Sequence, residues 1–142
     1  MIGARDQITE ALTQWAGVNV RQGMRGEWSF RVWGEHFAHV HAEQKAHFIF
    51  PEPLYRDLRE RDFIGMHDIY FNKIGGPCER LLDTQEDVDI AIRLYRLNYE
   101  MVCERFGLPL IPVENPAHRA VGPDERAPFP ASFTDYASRE AA

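Results

Sequence analysis

The stretch Trp28-Ser29-Phe30-Arg31-Val32-Trp33-Gly34-Glu35-His36-Phe37-Ala38-His39-Val40-His41, followed after four residues by Ala46-His47-Phe48-Ile49-Phe50, decides the fold. Apolar and polar side chains alternate along it, which predicts three antiparallel strands. Gly34-Glu35 suits a two-residue turn, and residues 42–45 suit a four-residue turn. These turns predict a register in which Trp33 lies opposite His36.

In this register one face of the sheet carries most of the aromatic side chains, because successive side chains of a strand point to opposite faces. The predicted face consists of Trp28, Phe30, Val32, Phe37, His39, His41, Ala46, Phe48 and Phe50. A face this apolar has to be covered by helices. We therefore expect His39 and His41 to lie in or beside a partly dry cavity, and His47 to face away from it. A shift of one residue would exchange the two faces.

Length and composition predict a single globular domain. The chain has 142 residues, of which 44% are hydrophobic and 27% charged, so it can bury a core without disulfides. The net charge of -6 argues against nucleic acid and against an anionic membrane surface as partners. Neither class of partner is expected.

Cysteine usage and the N-terminal residues predict a cytoplasmic protein. Cys78 and Cys103 lie in different predicted elements and do not form a disulfide framework. Residues 1–17 lack a basic start followed by an apolar segment, and no run of apolar residues is long enough to cross a membrane.

Three helices are predicted around the strands. The first covers residues 6–16, the second follows Pro51 and Pro53 and ends near Asp62, and the third begins at a capping box formed by Thr84 and Asp87. The third helix is apolar over a wide arc and is expected to cover the histidine-bearing face. Residues 78–82 are expected to add an edge strand. The fold class is therefore α+β, a two-layer sandwich of an antiparallel sheet and two or three helices.

The C-terminal part of the chain differs in character. Six of the nine prolines fall between Pro109 and Pro130, with no sustained periodicity. We interpret residues 1–106 as the folded domain and 107–142 as an irregular proline-rich arm. The arm could wrap the domain or link two subunits into a homodimer through its apolar side chains, which are Leu108, Leu110, Ile111, Phe129 and Phe133.

His39 and His41 are the strongest candidates for chemistry. Two positions apart on a strand, they point the same way with backbones about 7 Å apart. This spacing suits joint ligation of a metal, or a base and a hydrogen-bond donor acting on one ligand. A metal would need a further ligand, for which His67 with Asp68, or Glu43, is available. Purely structural histidines are a third interpretation.

The order of motifs resembles the luciferase-like domain family. The resemblance covers about residues 8–104 and lies mainly in Ala38-His39-Val40-His41, in Glu86-Asp87-Val88 and in Arg96-Leu97-Asn98-Tyr99. In the family pattern a further histidine heads an apolar strand, which here corresponds to His47, and a later one corresponds to His67. The resemblance implies a small α+β domain with kinship to the YjbR or frataxin-like sandwich.

Together with the histidines, the resemblance implies a cofactor-independent enzyme, of oxygenase type, that acts on a small aromatic or enolisable molecule. Either His39 or His41 would remove a proton, the other would hold the developing oxyanion, and His67 would assist. The apolar walls of the pocket would be Trp28, Phe30, Phe48 and Tyr95. Two alternatives remain: a metal-binding protein or enzyme with a divalent transition metal on His39, His41 and His67, and a non-catalytic binding module.

Overall fold

The computed structural model describes residues 3–41, 44–66, 76–109, 113 and 115–119. These ranges contain three α-helices, six strands and a short 3₁₀ turn at Pro116–His118. The helices are α1 (Ala4–Leu12), α2 (Glu52–Glu60) and α3 (Gln85–Phe106). The strands are β1 (Val18–Gln22), β2 (Trp28–Val32), β3 (Glu35–His41), β4 (Lys45–Phe50), β5 (Gly65–Met66) and β6 (Gly76–Leu81).

The six strands form one antiparallel sheet in the order β1-β2-β3-β4-β6-β5. Side chains of all three helices join one hydrophobic cluster with one face of this sheet. The predicted α+β class and the two layers are therefore confirmed. The predicted edge position of the strand at residues 78–82 is wrong, because the two-residue strand β5 pairs with the outer side of β6.

Helix α3 organises the helical layer. Its N-terminus has the predicted capping box, in which Thr84 accepts a hydrogen bond from the Asp87 backbone N–H and the Asp87 side chain accepts one from Thr84. It ends at Gly107, which adopts a left-handed φ of 64°. Residues 94–103 of this helix are all buried, as its wide apolar arc predicts.

The hairpin between β2 and β3 differs from the prediction in two ways. Its turn residues are Trp33 and Gly34, both with positive φ as in a type I′ turn, so Val32 lies opposite Glu35. A β-bulge then shifts the register between Phe30 and Arg31, and Phe37 is the extra residue on β3. Beyond the bulge, Phe30 lies opposite Ala38 and not opposite His39.

The bulge places the histidines on the face opposite to the helices. Paired residues of antiparallel strands share a face, and His39 pairs with Ser29 and with His47, while His47 pairs with Glu79. We call this the histidine face, and it carries Ser29, His39, His41, His47 and Glu79. The helix face carries Phe30, Ala38, Val40, Ala46, Phe48 and Cys78. The prediction that α3 covers His39 and His41 is therefore wrong.

The first residues of the predicted arm pack against the domain. Leu108 and Val113 are partly buried against the core, and the Arg93 guanidinium donates a hydrogen bond to the Arg119 carbonyl. The other apolar arm residues named above lie outside the described residues, so a homodimer through the arm stays a prediction. In the described ranges no helix is both long enough and apolar enough to cross a bilayer.

Candidate metal centre

Three imidazoles meet on the histidine face. His39 and His41 come from β3, and His47 comes from the facing position on β4. Each ring offers one nitrogen, and these three nitrogens lie within 4.8 Å of one another. The ring centroids of His41 and His47 are 4.1 Å apart, and those of His39 and His47 are 5.0 Å apart. Two neighbouring strands thus bring together three imidazoles, a ligand type that binds transition metals.

The His39–His47 pair is connected to a carboxylate. His39 Nε2 lies 3.1 Å from His47 Nδ1, and His47 Nε2 lies 3.2 Å from Oε2 of Glu79. A carboxylate accepts hydrogen bonds, so we assign the His47 proton to Nε2, which leaves a lone pair on Nδ1. Glu79 thereby fixes the orientation of His47, as carboxylates do for metal-binding histidines.

The electrostatics of the site favour the neutral form of His39. Burial, followed by the neighbouring imidazoles of His47, His36 and His41, lowers the pKa of His39 to about 4. Burial and the Arg31 guanidinium likewise lower the pKa of His36. A neutral imidazole has a free lone pair at neutral pH, which is the form that binds a metal or accepts a proton.

The spacing of the nitrogens matches a small tetrahedral ion. Two imidazole nitrogens at 2.0–2.1 Å from one zinc ion lie about 3.4 Å apart in tetrahedral geometry. The 3.1 Å between His39 Nε2 and His47 Nδ1 is close to this value. The three nitrogens all lie within 4.8 Å of one another, so the remaining distances exceed the tetrahedral value by at most about 1.4 Å.

A cleft lies beside the three imidazoles, where β3 and β4 separate. The two strands pair at His39–His47, Val40–Ala46 and His41–Lys45. Past His47, the side chain of Asn98 on α3 accepts from the Ile49 N–H and donates to the Ile49 carbonyl. The helix thus satisfies backbone groups of β4 that a neighbouring strand would otherwise satisfy.

The cleft has a volume of about 300 Å³ and mostly apolar walls. The walls include Phe37, Phe48, Met101, Val102 and Phe106. His36, His39 and His47 also line it, whereas His41 does not contact it in the described part of the chain. A ligand in the cleft would therefore lie next to two of the three clustered imidazoles.

The predicted site residues are only partly brought together. His39 and His41 are close and share a site with His47; His39 also lines the apolar cleft together with residues of α3, whereas His41 is not among the described residues that line it. His67, the predicted third ligand and catalytic assistant, lies outside the described residues, as do Glu43 and Asp68. Of the predicted apolar wall residues, Phe48 lines the cleft. Trp28, Phe30 and Tyr95 pack in or against the hydrophobic core and are not among the described residues that line the cleft.

His47 and Glu79 could not be found from the assumed register. That register placed His47 on the face away from His39. In the structure the bulge at Phe37 turns His39 away from the helices, and Lys45 pairs with His41 where a turn residue was predicted, so His39 lies opposite His47. The sequence does contain a signal of the bulge, because Phe37 and Ala38 are consecutive apolar residues within an otherwise alternating strand.

The chain matches no protein-family model, no curated protein and no solved structure. The resemblance to the luciferase-like domain family and the kinship with the YjbR or frataxin-like sandwich therefore stay predictions.

Proposed function

We propose that His39, His41 and His47 bind a divalent transition metal ion, and that the protein is a metal-dependent enzyme acting on a small molecule. The observation that carries this proposal is the convergence of three ring nitrogens within 4.8 Å. Imidazole suits Zn²⁺, Cu²⁺, Fe²⁺ and Ni²⁺, and Glu79 supplies the outer carboxylate that such sites commonly have. The ligand set replaces the predicted His39, His41 and His67.

The number of ligands favours catalysis over a structural role. Structural zinc sites use four protein ligands, whereas catalytic sites use three and keep one position for water or substrate. The described residues offer three, and the cleft begins beside two of them. An ion with an open position supplies Lewis-acid chemistry to a bound substrate.

Elemental analysis of protein purified without a histidine tag tests the proposal. We expect one ion per chain, or uptake of one Zn²⁺ or Co²⁺ per chain by metal-free protein. Titration with Co²⁺ should give the visible absorption of a four-coordinate site with nitrogen ligands. His41→Gln should weaken binding by at least about 100-fold, since even outer-shell partners contribute 10- to 100-fold.

The matched control is His118→Gln, because His118 is partly buried and lies in the 3₁₀ turn, far along the chain from the cluster. It should bind the ion as the unchanged protein does. Equal loss in both variants, or no ion bound at micromolar concentrations of metal, would remove the proposal.

A second candidate is the metal-free acid/base enzyme expected from the sequence, possessing no cofactor. The observation that favours it is the chain of hydrogen bonds from His39 through His47 to Glu79 at the edge of an apolar cleft. In this version His39, whose lowered pKa keeps it neutral, or its partner His47 takes a proton from an enolisable or phenolic ligand. Turnover that persists after complete metal removal would select this candidate over the first.

The cytoplasmic location and the oxygenase chemistry expected from the sequence stay part of the proposal. Buried, unpaired Cys78 and Cys103 are compatible with the cytoplasmic location that we propose. The luciferase-like resemblance implies oxygenase chemistry on a small aromatic or enolisable substrate. Measuring oxygen consumption with such substrates tests this reaction class.

A further inference from the structure

Specific packing and hydrogen bonds define the walls of the cleft between β3 and β4. Its far wall is the buried C-terminal half of α3, where Met101 is 8% and Val102 6% exposed. Asn98 uses both ends of its amide on the backbone of Ile49, so β4 is held apart from β3 by specific bonds. An opening supported in this way persists without a ligand.

The walls select for a flat apolar group. Phe37, Phe48 and Phe106 are among the lining residues, and aromatic rings pack favourably against one another edge to face or offset. The volume of about 300 Å³ lies at the lower end of ligand pockets, which limits the occupant to about one ring and a short substituent.

The polar groups select for an oxygen-bearing head group at one end. At the mouth, Arg105 and Glu35 have opposite charges and confer no net preference for an anion. The amide of Asn98 is engaged by Ile49, as described above. The other polar side chains that line the cleft are the imidazoles of His36, His39 and His47, two of which belong to the proposed metal centre.

We infer that the cleft binds a single-ring aromatic molecule whose oxygen head group reaches the metal centre. This inference rests on the proposed function, because the head group needs the ion on His39, His41 and His47. It adds the class of substrate, which is a small arene bearing a phenol, carboxylate or similar chelating oxygen.

Two hydroxamates that differ only in the ring test the inference. Benzohydroxamate and acetohydroxamate carry the same metal-binding head, and only the first carries a phenyl ring. We expect the zinc-loaded protein to bind benzohydroxamate about 10- to 100-fold more tightly by calorimetry, from the apolar area that the ring buries. Equal affinities would overturn the inference while leaving the metal centre intact.

Two variants locate the ring in the cleft. Met101→Trp fills the cleft and should abolish the preference for benzohydroxamate while one zinc ion per chain still binds. Phe106→Ala, at a half-exposed wall position, should reduce the preference without the risk of misfolding that a buried substitution carries. Leu81→Ala is the matched control, because Leu81 is exposed to a similar extent (49% against 50%) and lies outside the cleft. A preference unchanged in both cleft variants contradicts the inference.

Methionine methyl NMR separates the cleft from the ion. In metal-free protein, benzyl alcohol should shift the methyl signal of Met101 and leave that of fully exposed Met24 unchanged. If zinc does not bind but Met101 shifts, the proposed function fails and the aromatic cleft stands. If Met101 does not shift, the cleft is not an aromatic site.

Discussion

The hydroxyl of Tyr95 donates a 2.7 Å hydrogen bond to the backbone carbonyl of His39. The same hydroxyl has a backbone hydrogen bond with His47, so one side chain of α3 contacts both strands at the point where they begin to separate. Burial raises the pKa of Tyr95 well above its usual value, and the phenol stays protonated as a donor. The helix face therefore positions two histidines whose rings lie on the other face.

Tyr95→Phe should destabilise the protein by about 1–3 kcal/mol, because buried backbone groups of His39 and His47 lose their partner. It should also weaken metal binding, since the two backbones are no longer tied together. Urea unfolding and zinc titration measure the two effects. Tyr55→Phe serves as the comparison, because it removes the same hydroxyl from a buried tyrosine of α2, where the hydroxyl accepts a longer hydrogen bond of 3.4 Å from the Arg59 guanidinium. Unchanged stability in Tyr95→Phe would show that the hydroxyl has no structural role.

Glu79→Gln should lower zinc affinity by about 10- to 100-fold while leaving the stoichiometry at one, because the amide no longer orients His47 through a charged acceptor. Competition with a chelator of known affinity measures the change. Glu60→Gln, an exposed position at the end of α2, controls for the loss of one negative charge. The same affinity in both variants would exclude the outer-shell role of Glu79.

The lowered pKa of His39 predicts how stability depends on pH in metal-free protein. The unfolded chain takes up a proton at this ring near pH 6.5, whereas the folded chain does so only near pH 4. The contribution of His39 to the free energy of unfolding is therefore fully present above pH 6.5 and is lost as the pH falls from 6.5 to 4. Urea midpoints in EDTA should decline over this window, and less steeply in His39→Gln. Parallel declines would show that His39 does not carry the effect.

Asp87 joins three parts of the fold. Although partial burial raises its pKa, hydrogen bonds from Thr84 and Arg80 lower it more, and Arg80 in turn donates to the Phe63 carbonyl. Asp87→Ala should cost about 1–3 kcal/mol, from a lost helix cap and a broken ion pair. Glu86→Ala, exposed in the same helical turn, should change the free energy of unfolding by less than about 0.5 kcal/mol. Equal effects in the two variants would refute this assignment.

Local patterns predicted the elements well. The capping box at Thr84 and Asp87 located the start of α3, because cap chemistry depends on residues three positions apart. Strand β4 was correctly oriented, with Ala46, Phe48 and Phe50 toward the helices, because alternation within one strand needs no partner.

The faces of β3 could not be predicted in the same way, because they depend on contacts distant in sequence. Phe37 packs against Trp15 at a centroid distance of 6.4 Å and against Tyr99 at 5.6 Å. We infer that these contacts hold both Phe37 and Ala38 inward, which is what a bulge permits. Gly17 accommodates the adjacent turn, since its φ is 78° and the Trp33 ring occupies the space that a Cβ would need.

The bulge at Phe37 makes strand length a stricter constraint than residue identity. Up to Phe37 the odd-numbered residues of β3 lie on the side of the helices, and from Ala38 onward the even-numbered residues do, with Ala38 and Val40 buried. Loss or gain of one residue between Trp33 and Ala38 would exchange the two faces of β3 beyond that point. The imidazoles of His39 and His41 would then point into the apolar core. Evolution can therefore exchange side chains in this hairpin far more readily than it can alter the count of peptide units.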